Sequence, residues 1–177
     1  MQFNHYISEA AELAVDLINS PPTLTPGALS SILTARGIVD TDLTADEVAE
    51  LAAWRHQLAT IFRCPADRQI FTINDLLAST ASCPYITTHD GTPHMHYTGQ
   101  NGTPAAHIKA VTIAGLANVV CNGGPHRLGF CARSTCTAVF VDTSRSGRQR
   151  YCSQRCGNTA AVARHRHDHP RGALSQS

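Results

Sequence analysis

Through the first eighty residues, apolar positions recur at helical spacing. Phe3, Tyr6, Ile7, Ala10, Leu13, Ala14, Leu17 and Ile18 share one side of residues 3–19, with Glu9, Glu12 and Asp16 elsewhere. This predicts an amphipathic helix, stopped by Ser20-Pro21-Pro22. A second helix is predicted with Thr25 as N-cap and Pro26 at its first position, ending before Gly37. A third opens on the capping box Thr44-x-x-Glu47 and turns Val48, Leu51, Leu58 and Ile61 inward until Pro65. Trp54 is placed at the edge of the core in preference to a pocket. A fourth helix covers roughly 67–79, with Phe71, Ile73, Leu76 and Leu77 as its apolar set.

The period then changes. Residues 84–89 and 93–98, joined across Asp90-Gly91, predict a β-hairpin, because Asp-Gly suits a tight primed turn. Thr103-Pro104 opens a fifth helix whose interior, Val111 to Val120, is apolar nearly all round, as expected of the central helix of a bundle. Asn122-Gly123-Gly124-Pro125 ends it. Short strands are predicted at His126–Phe130 and Ala138–Val141, then a turn or exposed arm at 142–150 and a last helix ending before Pro170. The expected fold is mainly α: a helical domain with one hairpin over 1–124, then a small treble-clef-like or ribbon-like finger over 125–170 ending in a helix. Residues 171–177 read as a disordered tail.

The N-terminal residues MQFNHYISEA carry neither a basic nor an apolar signal region, and no run of eighteen apolar residues occurs. A soluble, cytoplasmic protein with no membrane partner is expected. Charge divides sharply near residue 125. Residues 1–125 hold five Lys/Arg against eleven Asp/Glu, whereas 126–177 hold nine Arg against two Asp. A basic half attached to an acidic one points to an anionic partner, most often nucleic acid.

Four of the seven cysteines, Cys131, Cys136, Cys152 and Cys156, form two close pairs separated by a fifteen-residue arm. Two pairs so joined suit one tetrahedral, structural zinc ion; two disulfides or unrelated buried thiols are the alternatives. The first pair suits a turn. A helix starting near Ser153 would put Cys152 and Cys156 on one face. Cys64, Cys83 and Cys121 are read as buried free thiols. Four thiolates close the zinc sphere and leave no position for water, so the ion would be structural rather than catalytic. No nucleophile elbow, HExxH or glycine-rich phosphate loop occurs, and no enzyme activity is expected.

Phe140-Val141-Asp142-Thr143-Ser144-Arg145, Arg150-Tyr151-Cys152-Ser153 and Cys156-Gly157-Asn158 resemble the CGNR zinc-finger family. Its members are bacterial proteins with an N-terminal helical ABATE domain, assigned as stress-induced transcription regulators. The resemblance runs over almost the whole chain, including Leu17-Ile18-Asn19 and Ile73-Asn74-Asp75-Leu76-Leu77-Ala78. Thr159 stands where the signature has arginine, Tyr151 where a tryptophan is usual, and the last cysteine pair is one residue closer than in many members. No metal ligand is lost by these departures, but one cation is.

DNA is the expected partner. Arg145, Arg148 and Arg150 on the arm, with Arg155, Arg164 and Arg166 on the last helix, are the candidate nucleic-acid contacts, since a guanidinium fork suits phosphate. Arg155 or Arg164 would replace the missing signature arginine. Arg133 and one of Arg148 or Arg150 are candidates to neutralise the zinc–thiolate centre instead. The helical domain is then left for sensing a small-molecule effector or for forming a homodimer. A finger docking an acidic protein, or a sensor that does not touch DNA, are the alternatives. His94-x-His96 with His89 is the other metal-like cluster, and a polar sheet face is the favoured reading of it.

Overall fold

The computed structural model describes residues 5–38, 42–80, 84–88, 91, 93–98 and 102–168. Six helices and two two-stranded sheets follow in the order α1 (His5–Asn19), α2 (Pro26–Ala35), α3 (Ala45–Arg63), α4 (Ala66–Thr80), β1 (Tyr85–Thr87), β2 (His94–His96), α5 (Pro104–Gly123), β3 (Leu128–Phe130), β4 (Val139–Val141) and α6 (Gln154–Asp168). The mainly α fold with one hairpin and a small terminal cysteine module is as expected. Phe3, Cys83, His89, Asp90 and the tail 171–177 lie outside the described residues.

Helix starts follow the local chemistry. Thr25, Thr44 and Thr103 each accept a hydrogen bond from the third residue into their helix. Glu47 completes a capping box with Thr44 and also accepts the Ala105 N–H, so the cap of α3 ties down the first turn of α5. Pro26 and Pro104 stand in the first turn, where a missing N–H costs nothing.

Helix α5 is the axis of the core. Packed by α1, α3 and α4, it buries ten residues, among them Ile108, Ile113, Leu116 and Val119. Length and composition alone would let it cross a membrane, but here most of its apolar surface faces other helices. Its closest neighbour is α1: a Cβ placed on Gly115 would stand 2.5 Å from the backbone N of Ala11 and 2.8 Å from the Ala10 Cβ. Only glycine permits that approach.

Two side chains depart from expectation, and a third, Arg55, had none attached to it. Trp54 is no edge residue; it is buried, and its indole N–H donates to Thr112 Oγ1 at 2.9 Å, which satisfies the only polar atom of the ring. Phe71 is 65% exposed, because α4 packs through Gln69 and Ile73 instead. Arg55 is buried and donates to the carbonyls of Pro21 and Pro22 and to the Ser20 hydroxyl, closing the proline-rich turn after α1. The chain between Gly124 and β3 forms a 3-10 turn, Pro125–Arg127, so the strand predicted from His126 begins at Leu128.

The finger is not a separate body on a tether. Leu128, Val139 and Val141 belong to the same buried cluster as Leu13, Leu17 and Leu116. The antiparallel β3–β4 pair, in register Leu128↔Val141 and Phe130↔Val139, lays β4 against α1. At that seam Asn19 grips the strand twice: its Nδ2 donates to the Val139 carbonyl at 2.9 Å and its Oδ1 accepts the Val139 N–H at 3.0 Å.

Candidate metal centre and its basic surface

Strand β3 ends at Phe130 and delivers Cys131 to a tight knuckle. The knuckle is closed by Cys136 N–H donating to the Arg133 carbonyl and Cys131 N–H donating to that of Ala138, both at 2.9 Å. The other pair comes from the start of α6. Ser153 accepts the Cys156 N–H through its hydroxyl at 3.2 Å and the Gly157 N–H through its carbonyl at 3.1 Å. It therefore serves as the helix cap, and Cys152 precedes the helix. The two sulfurs do not share a helix face as the i, i+4 spacing suggested; Cys152 lies just before the cap and Cys156 in the first turn. The Tyr151 ring leans on Gly157, 3.4 Å from where a Cβ would sit, so the glycine of the signature gives an aromatic residue its seat.

All four sulfurs lie within 4.8 Å of one another, with Cys136–Cys152 at 3.8 Å and Cys152–Cys156 at 3.6 Å. A disulfide needs about 2.05 Å. Tetrahedral zinc with bonds of about 2.3 Å sets its sulfurs about 3.8 Å apart, close to what is found. The four cysteines are positioned to bind one zinc ion. Burial opposes ionisation of Cys131, but the N–H groups of Cys152 and Arg133 and the thiols of Cys152 and Cys136 hold its pKa down to about 7. Cys152 is pushed up to about 12, first by burial and then by the neighbouring sulfurs. Four sulfurs this close cannot all carry charge without a cation among them. Zinc would supply that charge and fold the module around it.

The segment 142–150, expected to be a turn or exposed arm, turns at Arg145-Ser146 and is built at its base around a buried carboxylate. Asp142 accepts the Ser144 N–H at 2.9 Å, the Ser144 hydroxyl and the Gln149 N–H at 2.8 Å. Arg127, also buried, approaches it at 3.7 Å and donates to the carbonyls of Asp142 and Ser144. Burial alone would raise the Asp142 pKa; those hydrogen bonds and the charge of Arg127 hold it below the usual carboxylate range. Gly147, at φ 63, turns the loop over the Arg127 guanidinium, which lies 3.0 Å from a Cβ placed there. Sequence reasoning missed this pair. The available signal was an aspartate, one of only two acids in a basic half, four residues before the Ser146-Gly147 turn.

Tied at its base, the loop holds Arg145, Arg148 and Arg150 in solvent. The Arg150 carbonyl accepts the Ala132 N–H at 2.8 Å, so the loop end is stitched to the first knuckle. On α6, Arg155, Arg164 and Arg166 are exposed as well. They do not form one stripe. Nine residues at about 100° each put Arg164 on the side of α6 opposite Arg155, whereas Arg166 is within about 20° of Arg155. Arg133 is half-buried beside Cys131, with its Nε enclosed. Arg148 and Arg150 are exposed.

Residues 127–169 match the CGNR zinc-finger family model. Residues 11–135 match the ABATE family model, whose description is "putative stress-induced transcription regulator". The chain belongs to the ABATE family. No curated protein matches it. The two matched segments overlap over 127–135, the stretch that carries β3 and Cys131. In this ABATE protein the seam between them is thus a shared strand of the core rather than a linker.

The remaining candidates are dispersed. Of the three spare cysteines expected to be buried, Cys121 is exposed and Cys64 is half-buried against the Thr72 hydroxyl. Of the hairpin histidines, His96 alone has a described side chain, those of His89 and His94 lying outside the description. Its Nδ1 meets the Tyr85 hydroxyl at 3.2 Å and its ring packs on His107, 4.8 Å between centroids.

Proposed function

We propose that this ABATE protein is a bacterial, cytoplasmic transcription regulator whose zinc-built finger binds duplex DNA. The observation that carries the reading is the charge of one rigid module. Arg145, Arg148, Arg150, Arg155, Arg164 and Arg166 are all exposed, while Asp142, one of the two aspartates of this half, is buried and already matched to Arg127. Free guanidinium groups on a fixed frame are suited to phosphate. The acidic helical part would be repelled by DNA, which leaves it for control of the finger. No catalytic step is assigned, because four thiolates close the coordination sphere of the metal.

Anisotropy of a labelled duplex, titrated with zinc-loaded protein at several salt concentrations, tests the reading. Affinity should fall steeply with salt, with a log–log slope of about −0.9 per phosphate contacted. Chelating the zinc should abolish the binding. No binding to any duplex at low salt would dispose of the proposal.

A small-molecule effector is the second element of the reading. A cleft of about 340 Å³ opens between α4, the hairpin and α5, lined by Leu77, Tyr97, Ala110 and Ala114 among others. Its apolar walls favour a small apolar or aromatic ligand. A thermal-shift screen against such compounds tests this, and a Leu77→Glu variant should lose any shift found. A homodimer would give a short finger a second half-site; sedimentation velocity with and without DNA decides it.

A further inference from the structure

The finger's last helix is held on one side only. Cys156 is buried at the metal, and Gly157 and Ala160 are half-buried, marking the docked side. At about 100° per residue, Asn158, Val162, Arg155, Arg166 and Thr159 fall within one arc of about 100° on the far side. All five are exposed, and residues 161–166 are exposed all the way round, so the helix projects from the module. Val162 is 51% exposed in the middle of this arc. A single exposed valine is ordinary. Here it is flanked by an amide and a hydroxyl, with an arginine near each end. The arc carries no acid.

Resting on the DNA-binding reading above, we infer that this arc of α6 enters the major groove and reads A·T pairs. Arg155 and Arg166 would take the backbone on either side, about 16 Å apart along the helix, against a groove about 12 Å wide. Asn158 has the donor and acceptor that pair with the N6/N7 edge of adenine, and Val162 with the Thr159 methyl offers apolar contact to the thymine C5-methyl. Asn158 and Val162 are about 6 Å apart along the axis, which at about 3.4 Å per pair keeps the pairs they reach within about two steps of each other. A second copy of this chain is a poorer occupant of the same arc, since like faces would set arginine against arginine. Thr159, where the signature has arginine, sits at the edge of the arc. The exchange thus replaces a charge by a methyl at a reading position, while Arg155, one turn earlier, keeps a cation nearby.

The experiment is selection of bound duplexes from a randomised pool by the full, zinc-loaded chain, followed by affinities for the selected and a scrambled duplex. The selected sites should share an A·T step. Asn158→Ala should weaken binding to the selected duplex by roughly 5- to 150-fold, and Val162→Ser by roughly 4-fold or more. Their binding to the scrambled duplex and their salt slope should stay unchanged. Replacing the contacted thymine by deoxyuridine should reproduce the Val162→Ser loss and add nothing to it. Far-ultraviolet circular dichroism and zinc content confirm that each variant is folded. Duplex binding with no sequence preference, or variants that match the parent on the selected site, would overturn the inference and leave the DNA-binding reading standing. A change of oligomeric state in Val162→Ser, without loss of affinity per finger, would assign the arc to a second copy and overturn it too. Absence of binding to every duplex would remove both.

Discussion

Helix α5 and the loop from Asp142 to Arg150 sit in the same molecule and are held by opposite means. The helix buries ten residues against three other helices, and its position is the sum of many interchangeable contacts. The loop has almost no apolar surface of its own. Its shape depends on one carboxylate, one guanidinium, a left-handed glycine and the cysteines beyond its ends. Burial is non-directional and spreads its effect over many atoms. Hydrogen bonds and metal bonds are directional and concentrate it in few. The helical part should therefore absorb most single changes, and the finger should fail at a handful of points.

The sharpest break is at the metal. Changing Cys152 to Ser, or chelating the zinc, should release one ion per chain and expose the amides of 131–157 to hydrogen exchange while α1 to α5 stay protected. Structural zinc in isolated fingers is worth about 10–16 kcal/mol; part of that is supplied here by the shared core. Protons compete with the metal for sulfur, so zinc affinity should fall as pH falls. Next is Asp142→Ala, which strands the buried Arg127 and should cost about 3–5 kcal/mol, read as a shifted denaturation midpoint. The Asp142 pKa is lowered in the folded chain, so its contribution is present above the usual carboxylate pKa. It should fade as pH drops from about 4 through the lower folded value, where parent and variant stabilities converge.

Gly115→Ala makes the matching break in the helical part. It pushes α1 away from α5 and should cost about 1–3 kcal/mol with zinc content unchanged. The finest test joins the two regions. Asn19→Ala leaves the Val139 N–H and carbonyl unmet and should cost about 1–2 kcal/mol. In a calorimetric scan it should also split one cooperative transition into two. A single unchanged transition would show that the apolar seam alone couples finger to helices.

Much of this architecture can be read from the chain. Thr25-Pro26, Thr44-x-x-Glu47 and Thr103-Pro104 start helices because their side chains serve the first backbone N–H groups, a local effect that needs no tertiary knowledge. The cysteine spacing carried the metal centre for the same reason. What was hidden depends on partners distant in sequence. Phe71 looks like core because Ile70-Phe71 and Ile73 satisfy more than one helical register, and only the neighbours of α4 select Gln69 and Ile73. Trp54 is fully buried only because Thr112 waits for its N–H. Arg127 reads as one more surface arginine until the chain folds it beneath Gly147. The opposition of Arg155 and Arg164 was legible by counting residues, once the helix is known to begin at Gln154.

Because Leu128, Val139 and Val141 complete the packing begun by Leu13 and Leu17, the zinc module has a wet side and a dry side. A fragment cut at residue 127 would carry its metal but bare that dry strip to solvent, inviting aggregation. Anyone excising or transplanting the module would do better to bring α1 along, Asn19 included.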